Sequence, residues 1–169
     1  GIYNRRYFQT ALDREIERAK RSGQNLVLAM LDIDHFKRYN DIHGHPAGDR
    51  VLQDFVEIVK SNIRTSDIVC RYGGEEFAVI LPDTGYESTI NRDRAVEILE
   101  RVRQSVEEYE FGGEDTQPGG TLNVSAGIAL FRKDAVDEAG MVDQADRAMY
   151  RAKQAGRNLV MPSAEESSQ

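Results

Sequence analysis

The feature of this sequence that most constrains its fold is a short apolar run in the first third of the chain. Residues Leu26–Ile33 carry one charged side chain, Asp32, and the run is far too short to cross a bilayer. A run of this kind is typical of a β-strand that is covered on both faces. The chain must therefore place further elements on both sides of a sheet.

Helices and strands are predicted to alternate around this run. Apolar residues at helical spacing predict helices at 4–21, 35–41, 51–63, about 89–109 and 141–156. Further strands are predicted at 68–72, 77–81 and 122–131, with an edge strand at 159–161 and a loop at 111–120. Residues 44–49, rich in Gly and interrupted by Pro46, are predicted to break the chain between the second and third helices. These patterns predict one α/β domain over 1–162 with a mixed central sheet, followed by a disordered polar tail over 163–169.

Composition narrows the class of protein. The 169 residues carry a net charge of −7 and the pI is near 5.0, which argues against a nonspecific nucleic-acid binder. A nucleotide ligand remains compatible, because a divalent cation can supply positive charge locally. With Cys70 as its one cysteine the chain cannot form an internal disulfide, which is typical of a reducing compartment. Since no apolar run approaches membrane-spanning length, we expect a cytoplasmic domain without direct membrane contact. The start without Met suggests a fragment of a longer protein, in which a sensor, membrane-bound or not, precedes the domain.

The acid in the central apolar run is the first candidate for chemistry. Asp32 is predicted at the carboxyl end of a buried strand, where α/β sheets tend to place their ligands. A buried carboxylate is costly unless it is paired or binds a metal. The structural alternative is that Asp34 caps the following helix while backbone amides satisfy Asp32.

A glycine-rich turn supplies the second candidate. Gly73 and Gly74 allow positive φ and a close approach of the backbone to a ligand, and Glu75 and Glu76 follow directly. In a regular strand these two acids point to opposite faces. If one of them converges with Asp32, the result is an all-oxygen site suited to Mg²⁺. The alternative is a turn with solvated acids.

Two cations near the end of the last predicted helix complete the candidate chemistry. Lys153 and Arg157 are four residues apart and are predicted to lie on one side of that helix. They are either phosphate ligands or cations that interact favourably with the helix carboxyl end.

Taken together, these motifs resemble the GGDEF family of diguanylate cyclase domains. The resemblance rests on four segments in order: Asn4-Arg5-Arg6, Leu31-Asp32-Ile33-Asp34-His35-Phe36-Lys37 with Asn40-Asp41 and 44–49, Arg71-Tyr72-Gly73-Gly74-Glu75-Glu76-Phe77, and 145–153 with Gly156-Arg157-Asn158. It covers residues 1 to about 162 and implies a central five-stranded sheet flanked by helices (α+β), similar to polymerase palms and adenylyl cyclase cores. Segments 84–94 and 112–120 are longer than is usual for the family.

The resemblance also implies an activity, the condensation of two GTP into cyclic di-GMP, and a set of roles. Mg²⁺, with Mn²⁺ as a possible substitute, would be bound by Asp32, the backbone carbonyl of Ile33, and Glu75, which is also the candidate base. Glu76 would lie close by. The implied substrate-binding residues are Phe36, Lys37, Asn40, His45, Asp49, Gly73, Gly74, Lys153 and Arg157. Lys37 would also act in catalysis, by stabilising charge in the transition state.

Two of these residues would select the base. Guanine presents adjacent N–H donors, whereas adenine presents an acceptor at N1. A carboxylate only accepts hydrogen bonds, so Asp49, with Asn40 beside it, would pair with guanine and reject adenine.

A product-inhibition site is also implied, in Arg64-Thr65-Ser66-Asp67, with Arg101 as a second arginine. The alternative is that Arg64 interacts with the end of the long helix and Asp67 caps the turn. Since cyclic di-GMP has two-fold symmetry, we expect catalysis to need a homodimer. Three other functions remain open: a silent module that binds GTP or cyclic di-GMP, an enzyme with another cyclic dinucleotide product, and a structural scaffold.

Overall fold

The computed structural model describes residues 2–85 and 90–164, and their architecture is a five-stranded sheet between two layers of helices. The helices are α1 (Arg5–Ser22), α2 (Phe36–His43), α3 (His45–Asn62), α4 (Arg92–Glu108) and α5 (Glu138–Gln154). The strands are β1 (Leu26–Ile33), β2 (Ile68–Arg71), β3 (Glu76–Pro82), β4 (Val124–Leu130) and β5 (Val160–Pro162). The predicted α/β fold with a mixed sheet is confirmed.

The sheet order is β2-β3-β1-β4-β5, which makes the apolar run of β1 the central strand. β1 pairs antiparallel with both β3 and β4, and β5 adds a short parallel edge beside β4. All eight residues of β1 are buried, as the unbroken apolar pattern predicted.

Alternate residues of β1 contribute to two separate cores. Val27, Ala29, Leu31 and Ile33 pack with α2, α3 and α4 in one apolar cluster. Leu28 and Met30 pack with α1 and α5 in the other. Since side chains of a strand alternate between faces, Asp32 shares the face of Leu28 and Met30 and is directed toward the α1/α5 layer.

The structure corrects two predicted boundaries. The predicted break at 44–49 is wrong, because Gly44 alone (φ 80°) separates α2 from α3 and α3 begins at His45, with Pro46 in its first turn, where a missing N–H costs nothing. Ser163 does not belong to a disordered tail: it is buried, and its N–H donates to the Ile128 carbonyl at 2.7 Å. Residues 165–169 of the predicted tail, and Thr89 at the predicted start of α4, lie outside the described residues.

The loop predicted at 111–120 contains two short 3₁₀ turns, Glu114–Thr116 and Pro118–Gly120. It packs against α2 through hydrogen bonds from Tyr39 to the Gly112 carbonyl and between His43 and the Thr116 hydroxyl. Among the described residues, no helix combines the length and apolar character that crossing a membrane requires.

Candidate active site

The strand register brings the acids of the hairpin to the end of β1. Asp32 is the cross-strand partner of Glu76 on one side and of Ser125 on the other. Directly opposed residues in an antiparallel pair share a face, so the Asp32 and Glu76 side chains both lie on the α1/α5 side. Glu75 lies in the turn just before β3, and its carbonyl accepts from the Ile33 N–H at 3.2 Å. Three acids from two separate segments thus lie near one corner of the sheet.

The closest ionic partner of Asp32 is Lys153 of α5. Its ammonium lies 3.1 Å from Asp32 Oδ2, and the Asp32 side chain is 12% exposed. Burial raises the pKa of Asp32 from its usual 3.8 to about 6, against the opposing effect of Lys153 and with added repulsion from Glu75 and Glu76. Asp32 is therefore held by a cation rather than by backbone amides, and that structural alternative is wrong.

Asp34 has a different environment and does not cap α2. The residue before α2 is His35, with φ 55° and no side-chain cap hydrogen bond. Asp34 Oδ1 instead accepts from the Ser125 hydroxyl at 2.7 Å, and Oδ2 accepts from the Asn158 N–H at 2.9 Å. Burial raises the pKa of Asp34, while these hydrogen bonds and the charge of Arg157 act in the opposite direction. Asp34 therefore ties β4 to the segment that follows α5.

The turn of the hairpin is held by Arg71, which the sequence-based assignment of roles did not include. Its Nε donates to the carbonyls of Gly73 and Gly74, each at 3.1 Å, and its Nη2 donates to Gly74 at 2.7 Å. A Cβ at Gly73 would lie 2.9 Å from Glu76 Oε2, so the missing side chain leaves room for this carboxylate. The signal in the sequence was the position of Arg71 two residues before the glycines.

The two candidate phosphate-binding cations do not lie on one helical face. α5 ends at Gln154, so Lys153 is in its last turn but Arg157 is not in the helix. Arg157 and Asn158 have φ of 64° and 50°, in the left-handed region, and Gly156 precedes them with φ 119°. The prediction of a shared helical face is wrong because the chain turns back before one more helical turn is complete.

The candidate base-selecting residues surround Gly48. A Cβ at Gly48 would lie 1.8 Å from Asn40 Oδ1, so the glycine is what allows the Asn40 side chain to pack there. Asn40 Oδ1 is buried and has no hydrogen-bond partner among the described residues. Asp49 is exposed and lines a cavity of about 490 Å³ together with Leu52 and Phe77.

The remaining candidates near the nucleotide differ in exposure. Lys37 and His45 are exposed, at the starts of α2 and α3. The Phe36 side chain is buried in the core of the α2/α3/α4 layer. Any contact of Phe36 with a phosphate would therefore come from its backbone.

The candidate inhibitory site forms a tight turn beside a larger cavity. Asp67 Oδ2 accepts from the Arg64 N–H at 2.8 Å, as the structural alternative predicted, and burial raises the pKa of Asp67. Both residues line a cavity of about 580 Å³ whose wall on the α1 side includes Arg18. Arg101 donates to the Asn62 carbonyl at 3.1 Å, so it lies near this turn. No residue of α1 was predicted to belong to this site.

Among the described residues, no three His, Cys, Asp or Glu side chains are grouped closely enough to hold a metal ion. The donor chemistry nevertheless fits a hard divalent cation. The charges of Glu75 and Glu76 repel the carboxylate of Asp32, and the Lys153 ammonium already compensates that buried carboxylate.

The family model described as "Diguanylate cyclase, GGDEF domain" matches residues 1–159. Among curated relatives, diguanylate cyclase DgcP of Pseudomonas aeruginosa is 41% identical over 162 residues, covering 95% of this chain and 22% of DgcP. The response regulator PleD of Caulobacter vibrioides is 37% identical over 161 residues, covering 95% of this chain and 34% of PleD. The chain thus spans about a fifth to a third of these relatives.

Solved structures agree with the sequence comparison. The active GGEEF domain of a diguanylate cyclase from Vibrio cholerae superposes with a TM-score of 0.87 at 30% identity, covering 98% of this chain and 100% of that chain. The GGDEF domain of DgcB from Caulobacter crescentus, in complex with c-di-GMP, superposes with a TM-score of 0.82 at 34% identity, covering 95% of this chain and 91% of that chain. The family model matches nearly the whole chain, and the glycine hairpin lies beside the end of β1 that carries Asp32. This chain therefore belongs to the GGDEF family of diguanylate cyclase domains.

Proposed function

We propose that this domain condenses two GTP into cyclic di-GMP with release of two pyrophosphates. The observation that carries the proposal is the meeting of Asp32 with the Gly-Gly-Glu-Glu turn at one end of β1. In each half-reaction a 3′-hydroxyl oxygen bonds to the α-phosphorus of the other GTP, and the bond to pyrophosphate breaks. The hydroxyl proton passes to a base, for which we propose Glu75.

The acid corner is also the proposed site of a divalent cation, most simply Mg²⁺ with Mn²⁺ as a substitute. Asp32, the Ile33 carbonyl and Glu75 would hold it, and Lys153 would then exchange its carboxylate partner for phosphate oxygens. A cation bound there would supply positive charge to the phosphoryl groups and to the attacking oxygen. Glu76 would keep its carboxylate beside the turn, in the space that Gly73 leaves free: a Cβ at Gly73 would lie 2.9 Å from Glu76 Oε2.

Guanine selection is supported by the Asn40 Oδ1 atom, which has no hydrogen-bond partner in the part of the chain that the structure describes. A buried acceptor without a partner is destabilising, and a guanine N–H would satisfy it. Asp49, which directly follows Gly48 and lines the 490 Å³ cavity, would accept from the remaining N–H groups. Adenine would present its N1 acceptor to these oxygens, so we propose that the pocket rejects it.

The triphosphate would lie between the start of α2 and the end of α5. Lys37, Lys153 and Arg157 supply three cations from these two places, and Gly73 and Gly74 let the hairpin backbone approach. The Phe36 backbone and His45 would border the same space. This arrangement orients one GTP per chain, so we propose that two chains face each other for both bonds to form.

Incubation of the purified domain with GTP or with ATP, each with Mg²⁺, followed by separation of the nucleotides, tests the proposal. We expect cyclic di-GMP from GTP and no cyclic product from ATP. Glu75→Gln keeps size and removes the charge, so it should abolish turnover while preserving the melting temperature. Bound but unchanged GTP would identify a silent binding module, and a product from ATP would identify a different dinucleotide cyclase.

A further inference from the structure

The segment after α5 adopts a backbone conformation that needs support. Arg157 and Asn158 are consecutive non-glycine residues with positive φ, 64° and 50°. This left-handed region is disfavoured for residues that carry a Cβ, although Asn tolerates it better than most. Such a conformation persists when surrounding contacts over-determine it. The contacts that do so here come from Asn158.

Asn158 is bound through three of its polar groups. Its N–H donates to Asp34 Oδ2 at 2.9 Å. Its side-chain Oδ1 accepts from Arg103 Nη1 at 2.9 Å, and its Nδ2 donates to Glu107 Oε1 at 2.9 Å. One residue therefore connects the turn that carries Arg157 to the end of β1 and to helix α4.

The α4 side of this connection is itself rigidly organised. Arg103 donates to Glu100 through Nε and to Glu107 through Nη1, each at 2.8 Å. The Arg103 side chain is only 14% exposed, so the guanidinium is held in one orientation. Charged hydrogen bonds of this geometry are among the stronger ones in proteins.

We propose that Asn158, held by Arg103 and Glu107, is a positioning residue that fixes Arg157 for the triphosphate of GTP. The proposal rests on the proposed function, in which Arg157 binds phosphate. We call Arg103, Glu107 and Asn158 the clamp, and none of these three residues has a role in the proposed chemistry. They act by restricting the turn, so that the Arg157 side chain needs little further ordering when the nucleotide binds.

The clamp predicts selectivity for the length of the phosphate chain. Loss of the clamp should weaken the binding of ligands that reach Arg157 and leave unchanged the binding of ligands that do not. If the clamp acted only in folding, its loss would weaken the binding of all nucleotides to the same extent. The comparison of a guanosine triphosphate with GMP therefore separates positioning from general stabilisation.

The test uses Arg103→Met, which removes the guanidinium that donates to Asn158, and Asn158→Gly. The glycine keeps the backbone hydrogen bond to Asp34 and tolerates the positive φ, but lacks the side chain that contacts α4. Arg94→Met is the matched control, because Arg94 lies on the same helix and pairs with Glu97 at the same spacing, at 2.8 Å. Binding of 3′-deoxy-GTP, which lacks the attacking hydroxyl, and of GMP is measured by calorimetry with Mg²⁺. Melting temperatures show whether each variant is folded.

Both clamp variants should bind 3′-deoxy-GTP about tenfold more weakly, the factor that one charge-assisted hydrogen bond typically contributes. GMP affinity should change less than about twofold, and Arg94→Met should change neither. In an Arg157→Ala background, Arg103→Met should add no further loss.

Equal losses for the two nucleotides, additive losses with Arg157→Ala, or unchanged 3′-deoxy-GTP affinity would overturn the clamp. A wild-type domain that shows the expected binding pattern but makes no cyclic di-GMP would support the clamp and refute the proposed function.

Discussion

Replacing Asp32 with Asn should stabilise the metal-free domain above neutral pH. The pKa of Asp32 is raised from 3.8 to about 6, mainly by burial. Between these two values the folded chain keeps a proton on Asp32 that the unfolded chain has released. The stabilisation that this proton provides is fully present below pH 3.8 and is lost as the pH rises through 6. The Asn side chain is neutral at every pH and avoids this loss.

The magnitude follows from the shift. A pKa raised from 3.8 to about 6 corresponds to about 3 kcal/mol, because each tenfold change in the ionisation constant is worth about 1.4 kcal/mol. The effect of Lys153 is already contained in the shifted pKa, because the ammonium stabilises the same carboxylate. At pH 8 Asp32→Asn should therefore raise the free energy of unfolding by about 3 kcal/mol, whereas at pH 4, just above the unfolded pKa of 3.8, the gain should be well under about 1 kcal/mol.

Urea denaturation in the presence of a chelator, at pH 8 and pH 4, measures both values. The exposed Asp41→Asn serves as the control and should show no such pH-dependent gain. Addition of Mg²⁺ at ten times its dissociation constant should stabilise the wild type by about 1.4 kcal/mol and leave Asp32→Asn unchanged. An Asp32→Asn protein that is less stable than wild type at pH 8, or equally changed at both pH values, would refute the reasoning.

Three further predictions test other parts of the molecule. Initial rates of cyclic di-GMP formation should rise faster than linearly with enzyme concentration while the domain is mostly monomeric, and strict proportionality from a monomeric sample would contradict the two-chain proposal. Arg64→Ala combined with Asp67→Ala should relieve noncompetitive inhibition by added cyclic di-GMP, whereas unchanged inhibition and unchanged affinity in calorimetry would leave that turn a purely structural element. Gly48→Ala should raise the KM for GTP about tenfold or more, because the new methyl group displaces Asn40 Oδ1, 1.8 Å away; an unchanged KM would exclude Asn40 from base selection.

Much of the fold could be predicted because it depends on local patterns. The apolar run of β1 was predicted with its observed bounds, since a strand buried on both faces requires a continuous apolar segment. The helices were found by the spacing of apolar residues. The break at 44–49 was misjudged because glycine and proline signal a turn, yet both are also favourable at the start of a helix.

The residues of the candidate site could be proposed from the sequence, but their contacts with one another could be predicted only in part. Asp32 was proposed because a carboxylate at the end of a buried strand is costly without a partner, and Glu75 was proposed from the resemblance of the glycine hairpin to the family motif. The sequence did not indicate that Asp34 binds Ser125 and Asn158, 91 and 124 residues away. Arg103 gave no signal either, because a charged residue on an amphipathic helix is usually solvated.

The sequence by itself determined the elements and the acids they carry, since helical and strand periodicities and glycine turns act over a few neighbouring residues. The tertiary structure alone decided the partners: Lys153 for Asp32, Asn158 for Asp34, Arg71 for the hairpin turn. Such pairs depend on strand register and on how helices pack across a sheet. Hydrogen bonds form only at specific distances between groups that the chain brings together after folding.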